Sequence, residues 1–179
     1  LDIVILDPRS STPGLGLALW VKHVYGDEAE AVWADLAPRI VTVTKGWWEA
    51  YSAFLDGEAA MALSYTTSPA YHVIVEDDAT KKAARFEEGH YLQVEIAGAL
   101  AGSDEPELAR DFLAFMLSED FQSAIPTTNW MYPAVTPAQG LPEAFDDLPR
   151  PERSRAFAPA EVPAIREEAL EEWRDALSR

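Results

Sequence analysis

The sequence predicts an α/β fold in which a mostly parallel sheet is flanked by helices. Its first 75 residues alternate short apolar, β-branched runs with stretches of helical periodicity, and each run leads through a turn into a helix. The order strand, helix, strand is typical of parallel sheets, because parallel neighbours need a long crossover connection. The predicted strands are 3–6, 40–43 and 60–64, and the predicted helices between them are 13–25, 28–37 and 47–56.

The composition excludes several classes of protein. The 179 residues include 31 acidic and 14 basic side chains, for a net charge of −17. This balance argues against a nucleic-acid partner, because proteins contact phosphates with Lys and Arg. No apolar run is long enough for a membrane helix, so we expect no direct membrane insertion. The absence of cysteine excludes disulfides and thiolate metal sites.

The chain is organised around the turn Asp7–Gly14, which joins the first strand to the first helix. Thr12 is predicted to cap that helix, and Pro13 to be its first residue. The unpaired N–H groups and the positive end of the helix dipole would attract an anion at this point. The alternative is that Ser11 and Thr12 only cap the helix.

A second turn repeats this arrangement and strengthens the hypothesis of a ligand site. The hydroxyl-rich run Tyr65–Ser68 follows the strand 60–64 and precedes Pro69, which is placed to begin another helix. In parallel sheets ligands bind beyond the carboxyl ends of the strands, where such turns lie. The repeat therefore favours ligand binding over capping alone.

Aromatic side chains recur near these turns. Trp47 follows the turn at Gly46, Tyr71 follows the second hydroxyl run, and Trp130 lies in a polar stretch. Scattered rings usually belong to the core, but rings at ligand-facing turns suit a flat cationic ligand through stacking and cation–π contacts.

The later part of the chain changes character. Alternation over 90–97 predicts a strand, and the stretch 126–133, with proline at both ends, predicts a loop. Prolines recur from Pro133 to Pro163, so this segment is expected to wrap the surface before a last helix at about 160–177. A strongly amphipathic helix begins at Pro106, and its apolar residues are expected in the core. They are Leu108, Phe112, Phe115 and Met116.

No catalytic motif is present. The sequence lacks a nucleophile elbow, a P-loop and a His-Glu-x-x-His pair, and its three histidines are scattered. We therefore expect no enzymatic activity, no metal site and no resident cofactor.

Five stretches together resemble the periplasmic thiamine-binding proteins of bacterial ABC importers. The match runs in order along almost the whole chain, but it covers only the C-terminal part of that family's chain. The stretches are Asp7–Gly16, Val41–Trp47, Leu63–His72, Glu88–Glu95 and Asn129–Pro133.

The resemblance implies one lobe of a class II periplasmic-binding-protein fold. Residues 1–140 would form the C-terminal lobe of a two-lobed solute-binding protein, and residues 141–179 a proline-rich wrap and C-terminal helix. The ligand would be thiamine, thiamine phosphate or thiamine diphosphate, delivered in the periplasm to the membrane permease of the transporter. A signal peptide and most of the first lobe have no counterpart here, so we expect this chain to be a piece of a longer protein.

The resemblance also implies which residues contact the ligand. Ser11 and Thr12 would lie on the hydroxyethyl or phosphate side, and Trp130 would form an aromatic wall. Trp48 and Thr128 depart from the family's pattern of a small polar residue and glycine, and would reshape the pocket rim. The implied contacts are Ser11, Thr12, Trp47, Tyr65, Thr66, Thr67, Ser68, Tyr71 and Trp130.

Two alternatives from other classes stay open. One is a binding protein for ferric ion or a small oxyanion. The other is an enzyme of thiamine or pyrimidine metabolism built on the same fold, against which the absence of cysteine counts.

Overall fold

The structure is a computed structural model that describes residues 1–178. The chain forms two compact units. Unit 1 comprises Leu1–Ser64, Arg85–Gln93 and the described residues from Pro151 onward, and unit 2 comprises Tyr65–Ala84 and Val94–Arg150. The predicted division into residues 1–140 and 141–179 does not coincide with the boundaries of these two units, and it stays a prediction.

Strands and helices alternate over the first half of the chain, as predicted. The strands are β1 (Ile3–Leu6), β2 (Ile40–Thr44), β3 (Met61–Ala62), β4 (His90–Tyr91) and β5 (Ser154–Arg155). The helices are α1 (Thr12–Tyr25), α2 (Ala29–Leu36), α3 (Trp47–Leu55), α4 (Pro69–Glu76), α5 (Pro106–Met116), α6 (Glu119–Thr128) and α7 (Val162–Leu177). Single turns of 3₁₀ helix lie at Gly26–Glu28, Ala37–Arg39 and Glu143–Phe145.

The main sheet of unit 1 has three parallel strands in the order β2-β1-β3. Val4 pairs with Thr42 on one side and with Ala62 on the other, so β1 is the central strand. A central strand buries both of its faces, which explains why Val4, Ile5 and Leu6 are each at most 1% exposed.

Helices cover both faces of this sheet. Successive side chains of a strand point to opposite faces, so Ile5 belongs to one face while Val4 and Leu6 belong to the other. Ile5 packs in a core cluster with residues of α1, α2 and α7, including Trp33 and Trp173. Val4 and Leu6 pack with Ala50 of α3. The predicted α/β architecture is confirmed.

Unit 2 is helical, and none of its residues, all of which are described, lies in a strand. Its core joins Ala70 of α4 to Phe145 and Leu148, with Trp130 packed against them. The proline-rich segment therefore does more than wrap the surface, since Phe145 is completely buried.

The predicted strand over 90–97 is wrong beyond Tyr91. β4 contains only His90 and Tyr91, which pair in parallel with β5. Leu92, Val94 and Ile96 are 51%, 67% and 91% exposed. Alternation reports a one-sided apolar pattern, but a strand also needs a hydrogen-bonded neighbour. The Leu92 N–H still donates to the Arg155 carbonyl at 2.7 Å, but within residues 1–178 no strand pairs with 93–97.

The predicted core role of α5 is also wrong. Leu108, Phe112 and Phe115 are 64%, 55% and 49% exposed, and no residue of the helix is buried. The amphipathic pattern correctly predicts the helix, but it cannot show that a partner covers the apolar face.

The predicted loop at 126–133 begins too early, because α6 runs through Pro126 to Thr128. A proline lacks the N–H that would extend the helical ladder, which makes it a strong signal for a helix end. The start of α6 does carry a signal, since the side chain of Ser118 accepts from the N–H of Phe121. No helix within residues 1–178 has the length and apolar character to cross a membrane.

Candidate functional site

The loops that follow β1, β2 and β3 meet at one edge of the sheet in unit 1, because all three strands run the same way. Two side-chain hydrogen bonds join these loops. The Ser10 hydroxyl donates to the Lys45 carbonyl at 2.9 Å, and the Trp47 indole Nε1–H donates to the Ser64 hydroxyl at 2.9 Å. We call Ser10, Ser11, Thr12, Trp47 and Ser64 the sheet-edge cluster.

The first turn places its hydroxyls at the N-terminus of α1, but the cap is Ser11 and not Thr12 as predicted. Ser11 has an extended backbone and its side chain accepts from the Gly14 N–H at 3.4 Å, whereas Thr12 is the first helical residue. A cap needs a non-helical backbone, so the position of the cap decides which hydroxyl is used. Thr12 is exposed, and its hydroxyl lies at the positive end of the helix.

Gly14 lets the helix approach the end of β1. A Cβ at this position would lie 2.6 Å from the Leu6 carbonyl oxygen, which is too close for any other residue. The glycine therefore fixes how near the first turn of α1 sits to the strand end.

Asp7 and Arg9 brace the same turn. The Asp7 carboxylate accepts from the backbone N–H of Arg9 at 2.8 Å and from its guanidinium. The guanidinium hydrogen bond is the main reason that the pKa of Asp7 is lowered. Burial, the next largest effect, opposes this shift, and the backbone hydrogen bond and the charge of Arg9 lower the pKa further. Arg9 also lies over the ring of Trp173, 5.5 Å from its centroid.

Trp47 is held on two sides. Its indole stacks on the Tyr51 ring at 4.7 Å with an interplanar angle of 19°, in addition to the hydrogen bond with Ser64. The side chain is only half-buried, so part of the indole is accessible. Neither Tyr51 nor Ser64 was predicted from the sequence as a site residue.

In unit 2 the second hydroxyl run does not repeat the first cap. Ser68 has a helical backbone and its hydroxyl accepts from the N–H of Tyr65 at 3.3 Å instead of capping α4. Thr67 is 3% exposed and its hydroxyl donates to the Met131 sulfur at 3.6 Å. Tyr65, Thr66 and Ser68 are half-buried, so they keep accessible surface.

Tyr71 and Trp130 form an aromatic pair in unit 2. Their ring centroids are 5.2 Å apart and the planes meet at 86°, the edge-to-face geometry that aromatic pairs prefer. Trp130 has a φ of 56°, in the left-handed region. The side chain of the preceding residue, Asn129, donates to the Glu95 carboxylate at 3.0 Å.

The two units thus carry different parts of the predicted set. Unit 1 places Ser11, Thr12 and Trp47 at the starts of α1 and α3, at one edge of the sheet, and unit 2 brings Tyr71 against Trp130. Within residues 1–178, no group of three or more potential His, Asp or Glu ligands is arranged to hold a metal ion.

Comparison with known proteins identifies the family. Residues 14–123, more than half of the chain, match the family described as bacterial extracellular solute-binding protein. The chain belongs to this family.

Several solute-binding proteins are similar over nearly the whole chain. The thiamine-binding periplasmic protein of Escherichia coli (strain K12) is 54% identical over 99% of the chain. The protein of the same name from Haemophilus influenzae is 39% identical over 97% of the chain. A solved structure, a periplasmic thiamin binding protein, superposes with a TM-score of 0.94 at 54% identity and covers 99% of the chain.

The match covers nearly all of this chain but only part of each relative. It covers 54% of the Escherichia coli protein, 51% of the Haemophilus protein and 55% of the solved chain. This solute-binding protein chain therefore spans about half the length of the relatives that it matches.

Proposed function

We propose that the chain is part of the periplasmic substrate-binding component of an ABC importer. It binds thiamine and its phosphates and delivers them to a membrane permease. The observation that carries this proposal is the 54% identity over 99% of the chain with a relative named as thiamine-binding. A binding role without catalysis agrees with the family, whose description names solute binding.

The chemistry of the sheet-edge cluster supports a phosphorylated ligand. Exposed hydroxyls and the first N–H groups of α1 lie at the positive end of that helix, where a phosphate or hydroxyl tail is stabilised. Ser11 already uses one acceptor site for capping, but a hydroxyl that accepts can still donate its proton to a ligand oxygen.

The aromatic residues support a flat cation. Thiamine carries a permanently charged ring, and a cation over an aromatic face gains about 0.5–2 kcal/mol, depending on desolvation. Trp47 in unit 1 and the Tyr71–Trp130 pair in unit 2 are the proposed contacts. The remaining proposed contacts are Tyr65, Thr66, Thr67 and Ser68, of which Thr67 is buried.

Calorimetry tests the function directly. The full natural protein is titrated separately with five compounds: thiamine, thiamine phosphate, thiamine diphosphate, ferric ion and inorganic phosphate. We expect saturable binding of the thiamine compounds only. Binding of ferric ion or phosphate without thiamine would overturn the proposal, and turnover of a bound thiamine compound, followed by chromatography, would reveal an enzyme.

A further inference from the structure

We propose that Ser64 and Tyr51 are positioning residues that hold the Trp47 indole in the orientation that receives the ligand. The inference rests on the proposed function, because it adds to thiamine binding two residues that need not touch the ligand. Its basis is the pair of contacts around Trp47, one polar and one aromatic.

The polar contact fixes rotation of the ring within its plane. An indole has a single hydrogen-bond donor, so its direction determines where the long axis of the ring points. Trp47 Nε1–H donates to Ser64 Oγ at 2.9 Å, an ordinary hydrogen-bond length. Ser64 lies two residues beyond the end of β3, and Trp47 is the first residue of α3, which follows β2. The bond therefore joins the start of α3 to the loop that follows β3.

The aromatic contact fixes the tilt of the ring. Tyr51 lies four residues after Trp47, so both side chains project from the same face of α3. Their planes are 19° from parallel with centroids 4.7 Å apart. Tyr51 is only 7% exposed and is anchored in the interior, whereas Trp47 retains exposed surface. The buried ring thus supports the accessible one.

Such support lowers the cost of binding. A mobile side chain that becomes fixed on a ligand loses rotamer freedom, and a ring held in place beforehand avoids most of this loss. Trp48, the next residue of α3, also lies near the Trp47 ring, with centroids 6.0 Å apart and planes 44° from parallel, but it is 64% exposed. Trp47 is held by a buried ring and a hydroxyl, and Trp48 extends into solvent.

The first arm of the test needs no ligand. Indole N–H resonances are recorded by NMR for the wild type, Ser64→Ala and Ser64→Thr. The control is Ser52→Ala, which changes a half-buried serine of α3, the helix that begins at Trp47. The Trp47 resonance is assigned by its loss in Trp47→Phe. We expect Ser64→Ala to shift this resonance and speed its exchange with solvent, and Ser64→Thr to restore both. Unchanged resonances of Trp33 and Trp173 show that the fold is retained.

The second arm measures thiamine affinity by calorimetry on the same variants. Ser64→Ala should weaken binding by about three- to tenfold, Ser64→Thr by less than about twofold, and Ser52→Ala not at all. Tyr51→Leu should weaken binding more than Tyr51→Phe, which keeps the stacked ring.

The outcomes separate this inference from the proposed function. An unshifted Trp47 resonance in Ser64→Ala would overturn it. Equal thiamine affinity in the wild type and Ser64→Ala, alongside a weakened Trp47→Ala, would overturn it as well. If no thiamine compound binds to the wild type, the proposed function fails and the thiamine part of the inference falls with it. The resonance arm then still decides whether Ser64 positions the indole.

Discussion

Trp130 occupies a backbone conformation that bulky L-residues rarely adopt, with a φ of 56°. Such a conformation costs on the order of 1–3 kcal/mol, and it persists only where the surroundings determine it. Here the ring packs against the Ala70–Phe145 cluster and meets Tyr71 edge-on, while Thr67 holds the neighbouring Met131. The strained backbone therefore presents the ring in one fixed direction.

Replacing Trp130 tests its role as an aromatic wall. Trp130→Ala should weaken thiamine binding by about tenfold or more, a loss of ~1.4 kcal/mol, because stacking and cation–π contact disappear. Calorimetry provides the measurement. Tyr132→Ala is the matched control, since this nearby ring is 40% exposed and contacts Phe145. Equal affinities for the wild type and Trp130→Ala would remove Trp130 from the site.

The hydroxyls at the start of α1 should discriminate between forms of the ligand. The double substitution Ser11→Ala with Thr12→Ala should reduce affinity for thiamine diphosphate more than for thiamine, because only the phosphates need these donors. Both affinities are measured by calorimetry. Ser11 also caps the helix, so Ser11→Ala alone should lower the free energy of unfolding by about 1 kcal/mol. An equal loss for both ligands would leave Ser11 and Thr12 with a capping role only.

At the scale of elements, α7 is bound to α1 through Lys22. The Lys22 ammonium contacts Glu168 at 2.6 Å and Glu172 at 2.7 Å, and its side chain is only 10% exposed. Burial by itself lowers the pKa of Lys22, but the hydrogen bonds to Glu168 and Glu172 outweigh it, so the pKa is raised.

Lys22→Met should destabilise unit 1 by about 2 kcal/mol, because a largely buried Glu172 carboxylate loses its cation. A raised pKa stabilises the folded state at pH values below the unfolded pKa of about 10.4, and the gain is lost as the pH rises through the folded pKa. Urea unfolding at pH 7 and above pH 10.5 should therefore show a difference from the wild type that shrinks in alkali.

Lys81→Met provides the comparison for Lys22→Met. The Lys81–Asp78 pair lies closer to the surface, with both side chains 27% exposed, so its loss should destabilise the protein much less than the loss of the Lys22 contacts. If Lys22→Met and Lys81→Met lower the free energy of unfolding equally, the ion pairs between α1 and α7 contribute no more stability than a surface ion pair.

Much of unit 1 was predictable because local signals and tertiary packing agree there. Apolar runs, the proline at the start of α1 and the glycine turns gave β1, α1, β2 and α3 within about a residue or two, the usual uncertainty of helix ends. The predicted strand over 92–97 and the predicted burial of α5 were wrong for one reason. Periodicity shows which face of an element is apolar, but it does not show what covers that face. Ser64 and Tyr51 had no signal, since their contacts with Trp47 depend on packing.

At the scale of the whole molecule, a set of apolar side chains is exposed on α5, on the residue that follows it and on the segment before it. Residues that could have formed a strand and a helix face are open to water, which favours association through apolar contact. They are Leu92, Val94, Ile96, Leu100, Leu108, Phe112, Phe115 and Leu117.

The 179-residue chain should therefore self-associate, and Leu108→Ser with Phe112→Ser should reduce this tendency. Light scattering over a concentration series measures it. Because no residue of α5 is buried, the free energy of unfolding should change by less than about 0.5 kcal/mol. Leu55→Ser, at a 39% exposed position on α3, is the control. A monodisperse monomer in every variant would contradict the prediction.

The discontinuity of unit 1 has a consequence for biosynthesis. Its core joins β1, which is synthesised before the other described elements, to α7, and Trp173 of that helix packs in the same cluster as Ile5. During synthesis from the N-terminus to the C-terminus, β1 cannot complete this cluster until α7 has been made. More than a hundred residues are added between the two elements. Ribosome-bound chains that stop before Val162 should be cleaved by protease within residues 1–64, and chains that include α7 outside the exit tunnel should resist.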